Sequence, residues 1–356
     1  MLLPNQVLVV TGQNFGTGLA GGNPARIFIS STTIDPRTNA LFVLECLQTN
    51  TPQSHTTTEC AVPAGQGANL VVTVSVAGQV STTSRPFAYS RPVVSSVNPT
   101  ALPTSGGTLT LTGTQFGVGW LGFRSYELLV NGVNVTNSGS VALYNHTHIF
   151  VTVGAGSGAN KPISLTVGGQ TPVSQPSFNY APPTVTKVEG CVEDVDPRAA
   201  GCSLFGGDNV RVTGTNFGTV ATAGLLFMTI GGPFPLTARN CTINVASVTH
   251  TGFNCTLPSW PSGDLFNLPV TVTLDGLPSS TSAATVSYSG PEIFGNSLVL
   301  WPTDTTLGTG SVALSTDPAV SGAVRVSFAG RNWGSDISAI TITVRGIIIW
   351  NAPASL

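Results

Sequence analysis

Residues 10–17 read VTGQNFGT, and the same order of glycine, aromatic and glycine returns as LTGTQFGV at 111–118, VTGTNFGT at 212–219 and FAGRNWGS at 328–335. The leading glycines, Gly12, Gly113, Gly214 and Gly330, stand 101, 101 and 116 residues apart, a period as long as a small domain. The first three units each close on a strand, a turn and an aromatic exit, at Tyr89, Tyr180 and Tyr288. A proline follows each exit within three residues, at Pro92, Pro182 and Pro291. This punctuation divides the chain into four repeats, 1–90, 91–182, 183–290 and 291–356. Proline-stiffened joins between them predict a rod.

Within a repeat, apolar residues fall at every second position, as at Leu109 and Leu111, and again at Ile163, Leu165 and Val167. Threonine, serine and glycine fill the places between. Period two marks half-buried strands, and no sustained 3.6-residue stripe competes with it. Short strands separated by Gly, Pro and Asn turns predict an all-β chain of tandem, immunoglobulin-like Greek-key β-sandwiches.

The repeated motif then reads as a corner. Gly113 ends an alternating strand, and a residue without Cβ is expected to turn or bulge the chain there at positive φ. Phe116 folds back over the core edge and Gly117 allows a second bend. Phe15 and Gly16, Phe217 and Gly218, and Trp333 and Gly334 occupy the same places. A ligand-binding aromatic repeated four times is the alternative. A phosphate cradle would need a helix after the glycines, and none is signalled.

Composition bounds the partners. Of the 356 residues 41 % are hydrophobic, enough for a core in every repeat, while only 8 % are charged and the net charge is −2. There is no basic stripe to neutralise phosphates, so nucleic acid is not an expected partner. No stretch approaches the roughly 18 apolar residues of a spanning helix, so no membrane-spanning segment is expected in the chain.

Four features together resemble the IPT/TIG domain, the immunoglobulin-like repeat of plexins, Met-type receptors and many microbial and protist surface proteins. They are a P-x-V-x-x-V opening (Pro183, Val185, Val188), a GG before the corner strand (Gly106–Gly107, Gly206–Gly207), the TG-x-[NQ]-FG corner, and a late C-x-[VL]-P strand. The last is Cys60, Val62 and Pro63 in repeat one, and Cys255, Leu257 and Pro258 in repeat three. Repeat two has Val151 where the others carry cysteine, and repeat four matches only in its first half. The resemblance implies the sandwich fold; the family's roles range over adhesion, signalling, accessory regions of carbohydrate enzymes and transcription factors.

Six cysteines fall into three close pairs. Cys46 and Cys60 are 14 apart, as are Cys241 and Cys255 at the equivalent place in repeat three, while Cys191 and Cys202 are 11 apart. Equal spacing predicts a disulfide within each pair and an oxidising, extracellular or cell-surface setting. Zinc would need CxxC-type clusters or nearby histidines. Sequons at Asn134, Asn145, Asn240 and Asn254 agree with that setting and predict N-linked sugars that hydrate a body poor in charge. Asn240 and Asn254 each precede a paired cysteine, so with sulfur inside both are expected to face water.

Reactive groups are thin. His55, His146 and His250 each stand five residues before Cys60, Val151 and Cys255, which reads as shared turn chemistry rather than catalysis. His146 and His148 share a strand face, two ligands without a carboxylate. Glu189, Glu193, Asp194 and Asp196 beside Cys191 read as a solvated loop, with a weak calcium site as the alternative. No nucleophile elbow or carboxylate pair emerges, so no enzyme, cofactor or metal is expected.

Three functions remain: the glycosylated shaft of a fibril or surface appendage, an adhesion or receptor ectodomain with a protein or glycan ligand, and a carbohydrate-binding region. Aromatics are scarce and recur at core positions, which disfavours the third. MLLPNQVLVV has no basic n-region and does not read as a signal peptide, so a processed or excerpted piece is expected. Only 11 residues precede Gly12 and 26 follow Gly330, so the end repeats read as incomplete. Incomplete sandwiches leave strand edges that recruit other chains, so either the polypeptide continues beyond both ends or copies of the protein join head to tail.

Overall fold

The computed structural model describes residues 6–17, 24–35, 40–49, 53–117, 126–136, 138–231, 238–260, 266–280, 282–295, 297, 299–301, 325–332, 341–344 and 347–351. Among these, period-two patterning has become strands, and the helix is confined to two 3₁₀ segments, Val220–Leu225 and Val245–Ser247.

Repeat one carries β1 (Val7–Thr11), β2 (Arg26–Asp35), β3 (Ala40–Gln48), β4 (Thr57–Ala61), β5 (Leu70–Val76), β6 (Gln79–Val80) and β7 (Arg85–Phe87). They follow the order β1-β4-β3-β2-β5-β6, with β7 also on β5. The long β3 pairs with β2 and, through Leu47 and Gln48, with β4, so one strand links both faces. Ile27, Ile29, Cys46, Cys60 and Leu70 are buried between them.

Repeat two is the fuller sandwich: β8 (Val93–Asn98), β9 (Ala101–Leu102), β10 (Gly107–Thr114), β11 (Tyr126–Val130), β12 (Val133–Asn134), β13 (Val141–Tyr144), β14 (His148–Val153), β15 (Lys161–Val167) and β16 (Ser177–Tyr180). One sheet runs β13-β14-β10-β8 and the other β12-β11-β15-β16-β9. Leu109, Leu111, Ile149, Ile163 and Leu165 are fully buried, the alternating residues of facing strands.

Repeat three repeats the plan with β17 (Thr184–Glu189), β18 (Ala199–Cys202), β19 (Asn209–Thr215), β20 (Leu226–Ile230), β21 (Arg239–Asn240), β22 (Thr242–Ile243), β23 (Gly252–Thr256), β24 (Leu268–Leu274), β25 (Leu277–Pro278) and β26 (Thr285–Tyr288). Its sheets run β17-β19-β23-β22 and β18-β26-β24-β20-β21. Beyond residue 290 the described strands form two-stranded pieces, 292–293 with 330–331, 299–301 with 325–327 and 341–344 with 347–351. The fourth corner's Trp333 and Gly334 lie outside the described residues.

The chain divides into two compact units. One comprises 1–102, 106–154 and 160–179; the other comprises 103–105, 155–159 and 180–356.

Candidate functional site

The repeated corner is held by backbone rather than by side-chain chemistry. Phe15, Phe116 and Phe217 donate their N–H to the carbonyls of His55, His146 and His250 at 3.0, 3.1 and 3.2 Å. Gly12, Gly113 and Gly214 donate to the next residues, Thr56, Thr147 and Thr251. The recurring histidines therefore mark the turn that anchors the corner. Two of their imidazoles are also engaged: His250 Nδ1 meets Thr104 Oγ1 at 2.8 Å within the second unit, while partial burial holds His146 below the usual histidine range. His148 Nδ1 meets its neighbour Thr147 Oγ1 at 2.8 Å.

The sequence led to an expectation of positive φ at the leading glycine, but it does not fall at Gly12, Gly113 or Gly214. It falls two and four residues later: at Asn14, Gln115, Asn216 and Asn332, with φ of 66°, 63°, 62° and 59°, and at Gly16, Gly117 and Gly218. The leading glycine answers a different need. A Cβ on Gly113 would meet the Phe116 ring and the carbonyl of Val93, and one on Gly214 the Phe217 ring and the carbonyl of Thr184. The register also shifts beside the glycine, but the extra residue sits on the flanking strand, Ser95 of β8 opposite Thr112–Gly113 and Thr186 of β17 opposite Thr213–Gly214.

Disulfides join Cys46 to Cys60, Cys191 to Cys202 and Cys241 to Cys255, with Cα separations of 5.5, 4.9 and 5.8 Å. Val151, fully buried on β14, takes the matching place in repeat two. The carboxylates near Cys191 serve the loop: Asp194 accepts from the N–H of Gly190, Cys191 and Ala200, while Lys187 lies 2.6 Å from Glu189 and 3.4 Å from Asp196. Among the described residues the one metal-sized cluster is Cys191, Cys202 and Asp208, whose sulfurs are joined to each other.

Asn134, Asn145 and Asn240 are exposed, but Asn254 is half-buried, because β23 runs between β19 and β22 with Asn254 opposite Arg211. Asn134 Nδ2 donates to Glu127 at 3.0 Å, and Asn145 Oδ1 accepts from the N–H of Thr147 and His148.

Repeat one differs from the other two at its edge. In repeats two and three the corner strands β10 and β19 are flanked by β8 and β17, and the exit strands β16 and β26 by β9 and β18. In repeat one, among the described residues, β1 pairs only with β4 and β7 only with β5. Equivalent core positions register the difference. Leu8 and Val10 are half-buried where Leu109, Leu111, Val210 and Val212 are fully buried. Tyr89 is half-buried where Tyr180 and Tyr288 are 5 % and 1 % exposed. Between β1 and the β5–β7 side lies an open groove of about 810 Å³, floored by Leu8, Val10, Phe15, Val72, Val74 and Phe87.

Tyr89 donates its hydroxyl to Pro63 O at 3.0 Å, as Tyr288 does to Pro258 O at 2.9 Å. Burial pushes the Tyr89 phenol up to about 12. The sequence pointed to an incomplete first repeat with open strand edges but not to the groove or its lining, because which residues meet there is a long-range fact. A smaller polar recess of about 370 Å³ in the second unit is lined by Arg198, Phe266, Asn267, Glu292 and Arg331 among others.

Comparison with known proteins places these observations. A family model described as the IPT/TIG domain matches residues 92–180. A search of curated proteins returns no match. Among solved structures, one with a bound xylogluco-oligosaccharide is 15 % identical, with 83 % of this chain and 62 % of that chain covered and a TM-score of 0.33. A surface glycan-binding protein of Prevotella bryantii is 16 % identical, with 55 % and 42 % covered and a TM-score of 0.29. A three-domain tandem from titin is 10 % identical, with 80 % and 94 % covered and a TM-score of 0.24. The chain thus spans less than two thirds of the first two. Three disulfides are consistent with an extracellular or cell-surface location. Among the described residues no helix is long and apolar enough to cross a membrane. The second repeat, with its glycine corner and two facing sheets, matches the IPT/TIG domain over residues 92–180, and the chain is built of tandem immunoglobulin-like β-sandwiches.

Proposed function

We propose that the chain is a non-catalytic, extracellular structural glycoprotein, the protomer of a fibril or surface appendage, with copies joined head to tail through the end repeats. The observation that carries this reading is the open edge of repeat one, where β1 and β7 have no outer partner among the described residues and the core positions beneath are half-exposed. Unpaired edges over apolar residues recruit further strands. The two-stranded piece formed by 341–344 and 347–351, at the other end, has no third strand among the described residues. A contact between unlike ends need not close into a ring. Sugars at Asn134, Asn145, Asn240 and Asn254 belong to the same reading, as the hydration of a surface poor in charge.

Electron microscopy and concentration-dependent light scattering of the 356-residue chain, beside residues 1–290, test assembly. The full chain is expected to form linear particles and the shorter one to remain monomeric; equal monomers at high concentration would refute the fibril. Intact mass of protein from its native source tests the sugars: values well above the 36.4 kDa polypeptide are expected.

A second reading, an adhesion or receptor ectodomain, is favoured by the recess at Arg198 and Phe266. Arg198 donates to Asn267 Oδ1 at 3.1 Å and Arg331 pairs with Glu292 at 2.5 Å, so planar polar groups border an exposed aromatic ring. Such a rim suits a polar ligand with one apolar face. Glycan-array binding that Phe266→Ala abolishes would establish this reading.

A further inference from the structure

The stretch AGQGAN at 64–69 recurs as AGSGAN at 155–160, joining β4 to β5 in repeat one and β14 to β15 in repeat two. Its fixed letters build one loop. The first glycine makes room for the exit tyrosine: a Cβ on Gly65 would meet the Tyr89 ring, and one on Gly156 the Tyr180 ring. The carbonyl of the second glycine accepts the N–H of the same tyrosine, Gly67 from Tyr89 and Gly158 from Tyr180, at 2.9 Å in both. Gly67 and Gly158 hold φ of 108° and 86°, and Asn69 and Asn160 hold 56° and 53°, so the same residues turn the chain each time.

The contacts made by this loop recur as well. In the first unit, a Cβ on Gly168 would meet the Cα and N of Gly67, and one on Gly117 would meet the Gln66 side chain. Ala68 donates its N–H to Gly168 O at 3.2 Å, and Gln170 Nε2 donates to Tyr89 O at 3.0 Å. Gly168 opens the two-residue turn after β15, and Asp275 opens the matching turn after β24, with φ of 55° and 48° and a glycine at 77° following each. In the second unit Ser157, the counterpart of Gln66, donates its hydroxyl to Asp275 Oδ2 at 3.1 Å. The loop and the turn thus meet twice, through different side chains on the same backbone plan.

We infer that the AG-x-GAN loop is an inter-repeat clasp: residues 66–68 dock on the turn 168–170 and tie the stability of repeat one to repeat two. Paired glycines let the two main chains touch, and separation of the repeats would break both hydrogen bonds. The exit side of repeat one, β5 and β7, therefore loosens when the clasp is released. Pro92 stiffens the join through the covalent chain; the clasp adds a contact that one substitution can remove. This inference holds whether or not copies of the protein assemble, and whether or not a ligand binds.

Amide exchange, read strand by strand in the full 356-residue protein, tests the clasp. Ala77 takes the place of Gly168 in repeat one at φ 49°, so alanine suits the turn itself, and Gly168→Ala perturbs the contact with Gly67. Gly169→Ala is the control, because it strains the turn at φ 77° but a Cβ there meets nothing. Gly168→Ala is expected to speed exchange in β5 and β7 about tenfold, whereas Gly169→Ala should speed exchange in β15 alone. Gly168→Leu, with Gly169→Leu as its control, covers the case in which a small shift of the loop absorbs one methyl group. Gln170→Ala, which loses the bond to Tyr89 O, should act in the same direction by about threefold. Unchanged exchange in β5 and β7 for both Gly168 variants would overturn the clasp. Equal speeding by the Gly169 variants would overturn it too, since strain in the turn would then be the cause.

Discussion

Val10 and Val212 occupy the same place before their corner glycines, so replacing each with alanine isolates the effect of the missing flank. Val212 is 0 % exposed. Its truncation removes two carbons from a sealed core, about 1.6 kcal/mol of transfer free energy at about 0.8 per methylene, and the residual cavity brings the loss to about 2 kcal/mol. Val10 is half-buried and borders the open groove, so part of that area is already wet and no closed cavity forms. Its truncation should cost about 1 kcal/mol or less. A single melting temperature blurs this contrast in a chain of several sandwiches, so the assay is amide exchange read strand by strand. At about 1.4 kcal/mol per factor of ten, Val212→Ala should speed exchange in β23 about 30-fold and Val10→Ala should speed β4 about fivefold or less. Equal effects would refute the claim that repeat one has an open core.

Other outcomes follow from single contacts. Replacing Cys241 and Cys255 together with alanine should cost the third repeat about 3 kcal/mol, the chain-entropy value for a loop of this length, seen as a lower denaturant midpoint for Trp260 fluorescence. Tyr89 has its phenol raised to about 12 against an ordinary value near 10, so its contribution is complete below pH 10 and is lost as pH rises toward 12. The phenolate absorbance difference between wild type and Tyr89→Phe should therefore have its midpoint near pH 12; a midpoint near 10 would show the ring to be solvated. Gln115 holds a left-handed φ of 63° that glycine adopts without strain, so Gln115→Gly should stabilise repeat two by about 0.5 kcal/mol in a denaturant titration.

The strands, the domain period and the corner were legible in the residues, because each is a local pattern. Alternation from Leu109 to Leu111 sets the buried face of β10 whatever its partners, and TG-x-[NQ]-FG recurs because the same two left-handed residues follow the leading glycine each time. Equal spacing brought Cys46 to Cys60 and Cys241 to Cys255 for a similar reason: each loop is short enough that neighbouring elements meet. The reason for Gly113 was not local. Its missing Cβ makes room for Val93 O, and that neighbour is set by strand pairing. Nor could sequence distance show that Asn254 is shielded while Asn240 is exposed, since the difference comes from β19 and β22 flanking β23. The groove is the clearest case. Leu8 and Val10 carry the same alternation as Leu109 and Leu111, and nothing in their own letters tells a sealed core from an open one. Burial of a strand's side chains is completed by its flanking partners and the opposite sheet, so the tertiary arrangement decided which of these equivalent positions are sealed and which are half-exposed.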